Sequence, residues 1–102
     1  MLFRSGGIDA VRRMAKATHA FGLKPAIHSV YETGITTVAN LHLAAALPEV
    51  TYPNDCSLHF MSADVLAEPR GVVDGRMTLP KGPGLGVTLD RARLDQIGRA
   101  HV

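Results

Sequence analysis

Ile8, Val11, Met14, Ala15 and Phe21 recur at helical spacing while Arg12, Arg13 and Lys16 fall between them, so residues 9–21 are expected to form an amphipathic helix. Asp9 stands where a capping side chain belongs, just after Gly6 and Gly7, and Gly22 supplies the stop. Residues 24–28 (KPAIH) are short and apolar in the middle, the pattern of a buried strand, with Pro25 near its start, where a missing N–H costs least. The polar loop SVYETG follows, and then residues 35–47 (ITTVANLHLAAAL) carry apolar side chains on nearly every face, which predicts a helix covered on more than one side. Pro48 ends it, Val50, Thr51 and Tyr52 form a second short strand, and Pro53, Asn54 and Asp55 break that. Helix, strand, helix, strand with short connections is the order of a parallel sheet in α/β architecture, and two strands are too few to complete one.

The remainder changes character. Val72 and Val73, then Asp74 and Gly75, then Met77, Thr78 and Leu79 predict a hairpin, because Asp-Gly suits the two positive-φ positions of a type I′ turn. KGPGLG at 81–86 is a turn-rich bridge into Val87, Thr88 and Leu89, after which Asp90 is placed to cap a last short helix carrying Leu94 and Ile97. No internal repeat and no Ser- or Pro-rich linker interrupts the chain.

Composition narrows the picture. With 102 residues, 46% hydrophobic and 20% charged, the sequence fits one small globular domain and excludes a disordered tail. No apolar run approaches the roughly 20 residues of a membrane span, and no secretory h-region opens the chain, so a soluble protein is expected. Cys56 is the single cysteine, which excludes an intramolecular disulfide and points to a reducing cytoplasm. Three Phe, two Tyr and no Trp leave few stacking platforms for nucleic acid. Both ends read differently from the middle. Residues 97–102 (IGRAHV) are what ATC GGA AGA GCA CAC GTC encodes, which resembles a widely used sequencing-library adapter, and residues 1–5 (MLFRS) match the reverse-complement side of one. Both are expected to be foreign to the fold. Without Arg4 and Arg99 the 11 basic residues fall to 9, equal to the 9 acidic ones, and the electrostatic case for nucleic acid or an anionic membrane disappears.

Three residues carry candidate chemistry. His28 ends a buried strand and precedes a polar loop, and the carboxyl ends of strands are where β/α barrels gather catalytic groups. A neutral imidazole there can take a proton near pH 7; the same position also suits a histidine bonded to loop backbone. Glu32 and Asp55 lie just beyond the first and second strands, so both carboxylates could reach one mouth, or each could simply cap its own loop. Cys56 and His59 have metal-like spacing without the further ligands that a zinc site needs, so no metal is expected there. His42, inside the apolar helix, reads as a packing residue, and the Gly82, Gly84, Gly86 run lacks the Lys-Ser/Thr of a phosphate loop and reads as a turn.

With those residues in hand, the chain resembles the C-terminal portion of the mandelate racemase and muconate lactonizing enzyme branch of the enolase superfamily. GGIDAVRRMAKATHAFGLKPAIHS is similar to the helix and strand that follow the sixth barrel strand, ETGITTVANLHLAAALPEVTYPND to the next loop, helix and last strand, and DVLAEP with DGRMTLPKGPGLGVTLD to the closing segment. The resemblance implies an α/β fold made of the last βα units of a (β/α)7β barrel of the TIM type, incomplete here. Residues 6–63 would belong to the barrel, and residues 64–96 would form the hairpin and closing segment that returns to a capping domain.

The implied reaction is removal of the proton α to a carboxylate, with the resulting enediolate held by Mg²⁺ whose ligands lie on earlier strands, outside this chain. By the same resemblance His28 matches the histidine that acid-sugar dehydratases and racemases place on the seventh strand, paired there with an Asp on the sixth that would precede Gly6. Asp55 falls near the acid at the end of the eighth strand, which can hydrogen-bond the enediolate or serve as an acid. Glu32, in ETG, is also similar to the cycloisomerase and N-acylamino acid racemase side, where lysines elsewhere act as bases. The expected substrate is a small carboxylate, a sugar acid on the dehydratase reading, for a homo-oligomeric parent enzyme with no nucleic-acid or membrane partner. The other reading of the same residues is a free-standing small α/β binding domain. Removing residues 1–5 and 97–102 is expected to change the free energy of urea unfolding by less than about 2 kcal/mol, the scale of one buried side chain.

Overall fold

The computed structural model describes residues 2–97. Their elements are α1 (Leu2–Ser5), α2 (Ile8–Ala20), α3 (Gly34–Ala46), a single 3₁₀ turn (Leu58–Phe60) and α4 (Arg91–Ile97). The final residues of the 97–102 stretch, 98–102, lie outside the described residues. No described helix is long and apolar enough to cross a membrane.

Helix α2 begins one residue before Asp9, with Gly7 at φ 102° in the cap position. Asp9 is therefore a first-turn acid rather than the cap, and its carboxylate accepts a hydrogen bond from Arg12 at 2.6 Å and pairs with the charge of Arg13 at 3.2 Å. The hydrogen bond and charge of Arg12 hold the Asp9 carboxyl below its ordinary range. The helix stops as expected at Gly22. Its φ of 77° allows Gly22 N–H to reach His19 O at 2.9 Å and Leu23 N–H to reach Thr18 O at 3.2 Å, the paired bonds of a Schellman ending.

Helix α3 has neither a side-chain cap on Thr33 nor an acid in its first turn. The acid comes instead from 30 residues downstream, where Asp64 Oδ1 accepts Gly34 N–H at 2.7 Å and Val65 N–H at 2.8 Å. A negative carboxylate at the positive end of the helix is favourable. Only glycine fits there, because a Cβ on residue 34 would collide with Asp64 Oδ2 and the Leu66 side chain. Val65 and Leu66, 1% and 0% exposed, fill the space beyond. Their backbone continues the connection to the closing segment through Ala67 N–H to Thr88 O at 2.9 Å and Asp90 N–H to Val65 O at 2.8 Å. Asp90 then caps α4 through Arg93 N–H at 3.1 Å, as its position in the sequence predicts.

A second cluster joins Ala15 of α2 to Leu43 and to Leu47 just beyond α3, with Ile27 between them and Val11, Ala44 and Val50 at its edge. The α2 stripe is only partly used. Ile8, Met14 and Phe21 are 52%, 45% and 85% exposed, so the expected apolar face is buried only along its Val11 and Ala15 side. Helix α3, by contrast, is covered on several faces, burying Val38, Ala39 and Leu43 together with Thr37 and Asn40.

The expected strands at 24–28 and 50–52 do not form as ladders: among the described residues there is no strand, only two isolated bridges. The two segments are nevertheless tied at one end, where Asp55 N–H donates to Ile27 O at 3.0 Å and Ile27 N–H donates to Asn54 Oδ1 at 2.8 Å. A parallel ladder gains its order from evenly repeated bonds to neighbours, and one backbone bond does not establish it. The hairpin is likewise reduced to its tip. Asp74 at φ 50° and Gly75 at φ 72° make the expected turn, closed by mutual bonds of 2.8 and 2.9 Å between Val73 and Arg76. The outcome is an elongated body, 48 × 32 × 26 Å, whose radius of gyration of 14.6 Å exceeds the roughly 13 Å of a closed domain of this length.

Leu66→Ala is expected to cost about 3 kcal/mol of unfolding free energy in urea, since it opens a cavity where the side chain is wholly enclosed. Gly34→Ala should be destabilising too, against the usual gain from placing alanine in a helix, because its Cβ meets Asp64 and Leu66.

Candidate active site

His28 and Asp55 come together because the backbone ties between 27 and 54–55 set the ends of the two extended segments side by side. The imidazole Nδ1 lies 2.7 Å from Asp55 Oδ2, with the two side chains 63% and 51% exposed. A carboxylate on Nδ1 fixes the ring's orientation and places the proton-accepting lone pair of the neutral imidazole on Nε2. The partner that His28 takes is thus a carboxylate from the second segment rather than backbone of its own loop alone.

Glu32 goes elsewhere. Its side chain is 9% exposed and its Oε2 accepts from Asn40 Nδ2 of α3 at 3.4 Å, while Oε1 is buried without a hydrogen-bond partner among the described residues. Glu32 and Asp55 therefore occupy different surroundings, one enclosed against a helix and the other open to solvent. Burial of Ser29 at 1% and of Glu32 anchors both sides of the loop, and Val30 and Tyr31 project between them. Tyr31 has φ 52°, one of two non-glycine residues at positive φ among the described residues.

Each member of the pair lines a different cleft. One, of about 600 Å³, is lined by Asp55 and Cys56 with Thr37, Asn40 and Leu41 of α3 and Met77 beyond the hairpin tip. The other, of about 490 Å³, is lined by His28 with Val11, Ala15 and Thr18 of α2. Neither encloses both members of the pair, and the 2.7 Å contact rather than either cavity defines the site.

Cys56 is half-buried and in no disulfide, and the His59 and Phe60 ring centroids lie 4.0 Å apart with the rings tilted by 41°. His42 is half-buried, with Nε2 2.9 Å from Leu85 O, so it ties the 81–86 turn to α3. Among the described residues no group of three His, Cys, Asp or Glu side chains could hold a metal ion. Octahedral oxygen ligation of Mg²⁺ does not fit here, because Asp55 is engaged by His28 and Glu32 offers one unpartnered oxygen in a closed space.

Sequence reasoning missed three residues that build this geometry. Asn54 substitutes for a strand partner, Asn40 holds Glu32, and Asp64 fixes the start of α3. Asn40 carried a faint signal, a lone amide in a run of apolar helix residues; Asp64 carried none, since its partner is 30 positions away.

The chain thus consists of two helix-then-extended units that set a histidine–carboxylate pair at their segment ends. It belongs to the family described as enolase C-terminal domain-like, whose sequence model matches residues 1–93. Among similar proteins is one from Streptomyces coelicolor named "Probable glucarate dehydratase", 35% identical over 89 residues, covering 87% of this chain and 21% of that protein. N-succinylamino acid racemase from Amycolatopsis is 36% identical over 101 residues, covering 97% of this chain and 27% of that protein. The crystal structure of muconate lactonizing enzyme from Klebsiella pneumoniae superposes with a TM-score of 0.79 at 30% identity, covering 94% of this chain and 27% of that one. The chain spans about a quarter of the length of the relatives it matches.

Asn40→Ala is expected to cost about 1–3 kcal/mol in urea unfolding, since it leaves a buried carboxylate oxygen without its donor. Asn40→Asp should cost more, because it sets a second negative charge against Glu32.

Proposed function

We propose that this chain supplies the proton-transfer half of an active site that removes the proton α to a carboxylate, and that the whole protein is a sugar-acid dehydratase. The observation that carries the reading is the 2.7 Å contact of His28 with Asp55. Nε2 of His28 takes the α-proton while Asp55 steadies the imidazolium that forms. The family membership and the similarity to a protein named for glucarate dehydration support it. An α-proton is too weakly acidic for imidazole unless the developing dianion is stabilised. The Mg²⁺ that would do so belongs, in this proposal, to residues outside this chain.

The closed barrel and capping domain, a homo-oligomeric assembly and a cytoplasmic location are parts of the same proposal. A second reading, racemase or cycloisomerase, is favoured by the buried Glu32 of the ETG triplet and by the similarity to N-succinylamino acid racemase. A free-standing binding domain fits less well, because Ile8 and Phe21 would then stay in water without a function.

In a full-length protein that carries this segment, His28→Asn is expected to reduce exchange of the substrate α-hydrogen in D₂O by about a hundred-fold or more. Asp55→Asn should cost less, by loss of orientation. Exchange at the wild-type rate in His28→Asn would remove His28 as the base and leave the racemase or cycloisomerase reading.

A further inference from the structure

The two segments that carry His28 and Asp55 are aligned by a side chain where a sheet would use backbone. In a parallel pair centred on Ile27 and Asn54, Asp55 N–H donates to Ile27 O and Ile27 N–H donates to the carbonyl of Pro53. The first bond is present, at 3.0 Å. The second is replaced, because Ile27 N–H donates at 2.8 Å to Asn54 Oδ1. Ile27 is buried in the cluster between α2 and α3, and the positions after it alternate, with His28 exposed and Ser29 buried. His28 and Asp55 each stand one residue beyond a member of the tie, and Nδ1 of the one meets Oδ2 of the other at 2.7 Å. Without the Asn54 bond a single bond would remain, Asp55 N–H to Ile27 O, and one bond is a pivot rather than a fixed register.

We infer that Asn54 is a positioning residue for the His28 base: its side-chain carbonyl fixes the register that sets Asp55 on Nδ1 and so directs the proton-accepting lone pair to Nε2. The inference rests on the proposed function for what Nε2 does and adds what holds it in place. Burial does not hold the pair together, since the two side chains are both more than half exposed and water competes for each. A neutral imidazole released from its carboxylate passes between its two tautomers. His42 supplies a contrast within the same chain. Its Nε2 faces Leu85 O at 2.9 Å, and a carbonyl only accepts, so a neutral His42 carries its proton on Nε2, the reverse of His28. That contact involves the 81–86 turn and neither of the two aligned segments.

The test reads imidazole tautomers by ¹⁵N–¹H NMR of the 102-residue chain at about pH 9, above the ordinary range of histidine titration. The His28 signals are assigned by their loss in His28→Asn. In the unsubstituted chain His28 is expected in the Nδ1–H form and His42 in the Nε2–H form. Asn54→Ala should move His28 to a mixture in which Nε2–H predominates and leave His42 unchanged. Asn54→Asp, which retains an acceptor of the same shape, should retain the Nδ1–H form. In a full-length protein that carries this segment, Asn54→Ala should lower kcat for exchange of the substrate α-hydrogen about ten-fold and leave KM unchanged. An Nε2–H form of His28 in the unsubstituted chain, a tautomer unaltered by Asn54→Ala, or one lost equally in Asn54→Asp would overturn the inference. So would a change that His42 shares, which is the mark of a merely structural residue. Failure of the underlying reading gives a different result: no α-hydrogen exchange in the full-length protein, with the tautomer change in Asn54→Ala intact.

Discussion

The docking of residues 64–66 onto the start of α3 is the constraint on which the rest of this structure depends. One carboxylate oxygen of Asp64 takes the Gly34 and Val65 amides, and Leu66 occupies the space that any side chain at residue 34 would need. That contact fixes where α3 begins. From there the helix presents Asn40 to Glu32 and Leu43 to Ile27 and Ala15. Just beyond, Ala67 N–H donates to Thr88 O and Val65 O accepts from Asp90 N–H, so the closing segment is joined to the helix through this stretch. An exposed charge pair on α2 such as Asp9 with Arg12 contributes little by comparison, since both partners remain in water.

The site inherits this order at one remove. Helix α3 holds Ile27 through the Leu43 and Leu47 cluster, and Ile27 is tied to the Asn54 side chain and the Asp55 backbone by one hydrogen bond each. His28 and Asp55 are the next residues along and meet at 2.7 Å. Both remain largely exposed, as does the unused side of the α2 stripe at Ile8, Met14 and Phe21. The relatives that this chain matches are about four times as long.

Local signals read well wherever the determining interaction is local. Gly22 ending α2, Asp90 capping α4, Pro48 closing the long apolar helix and Asp74 with Gly75 forming a tight turn each involve residues within a few positions of one another. Asp9 failed as a cap for a reason the sequence could not arbitrate: a glycine at positive φ started the helix one residue sooner and left the acid to two arginines. The strands failed as ladders because strand formation is a property of neighbours, and 24–28 shares one backbone bond with 50–55.

The sequence by itself determined α2 and α3 with their stops, the start of α4, the turn at 74–75 and the family, since these rest on short-range sterics and on the spacing of side chains along one chain; it did not announce α1. It also nominated His28, Asp55 and Glu32, without deciding which of them meet. Only the tertiary structure paired His28 with Asp55 and turned Glu32 to Asn40. It alone placed Asp64 on Gly34 and revealed the positive φ of Tyr31. Those outcomes depend on contacts between segments distant in sequence, or on a backbone angle imposed by buried residues on either side. A one-dimensional pattern carries neither.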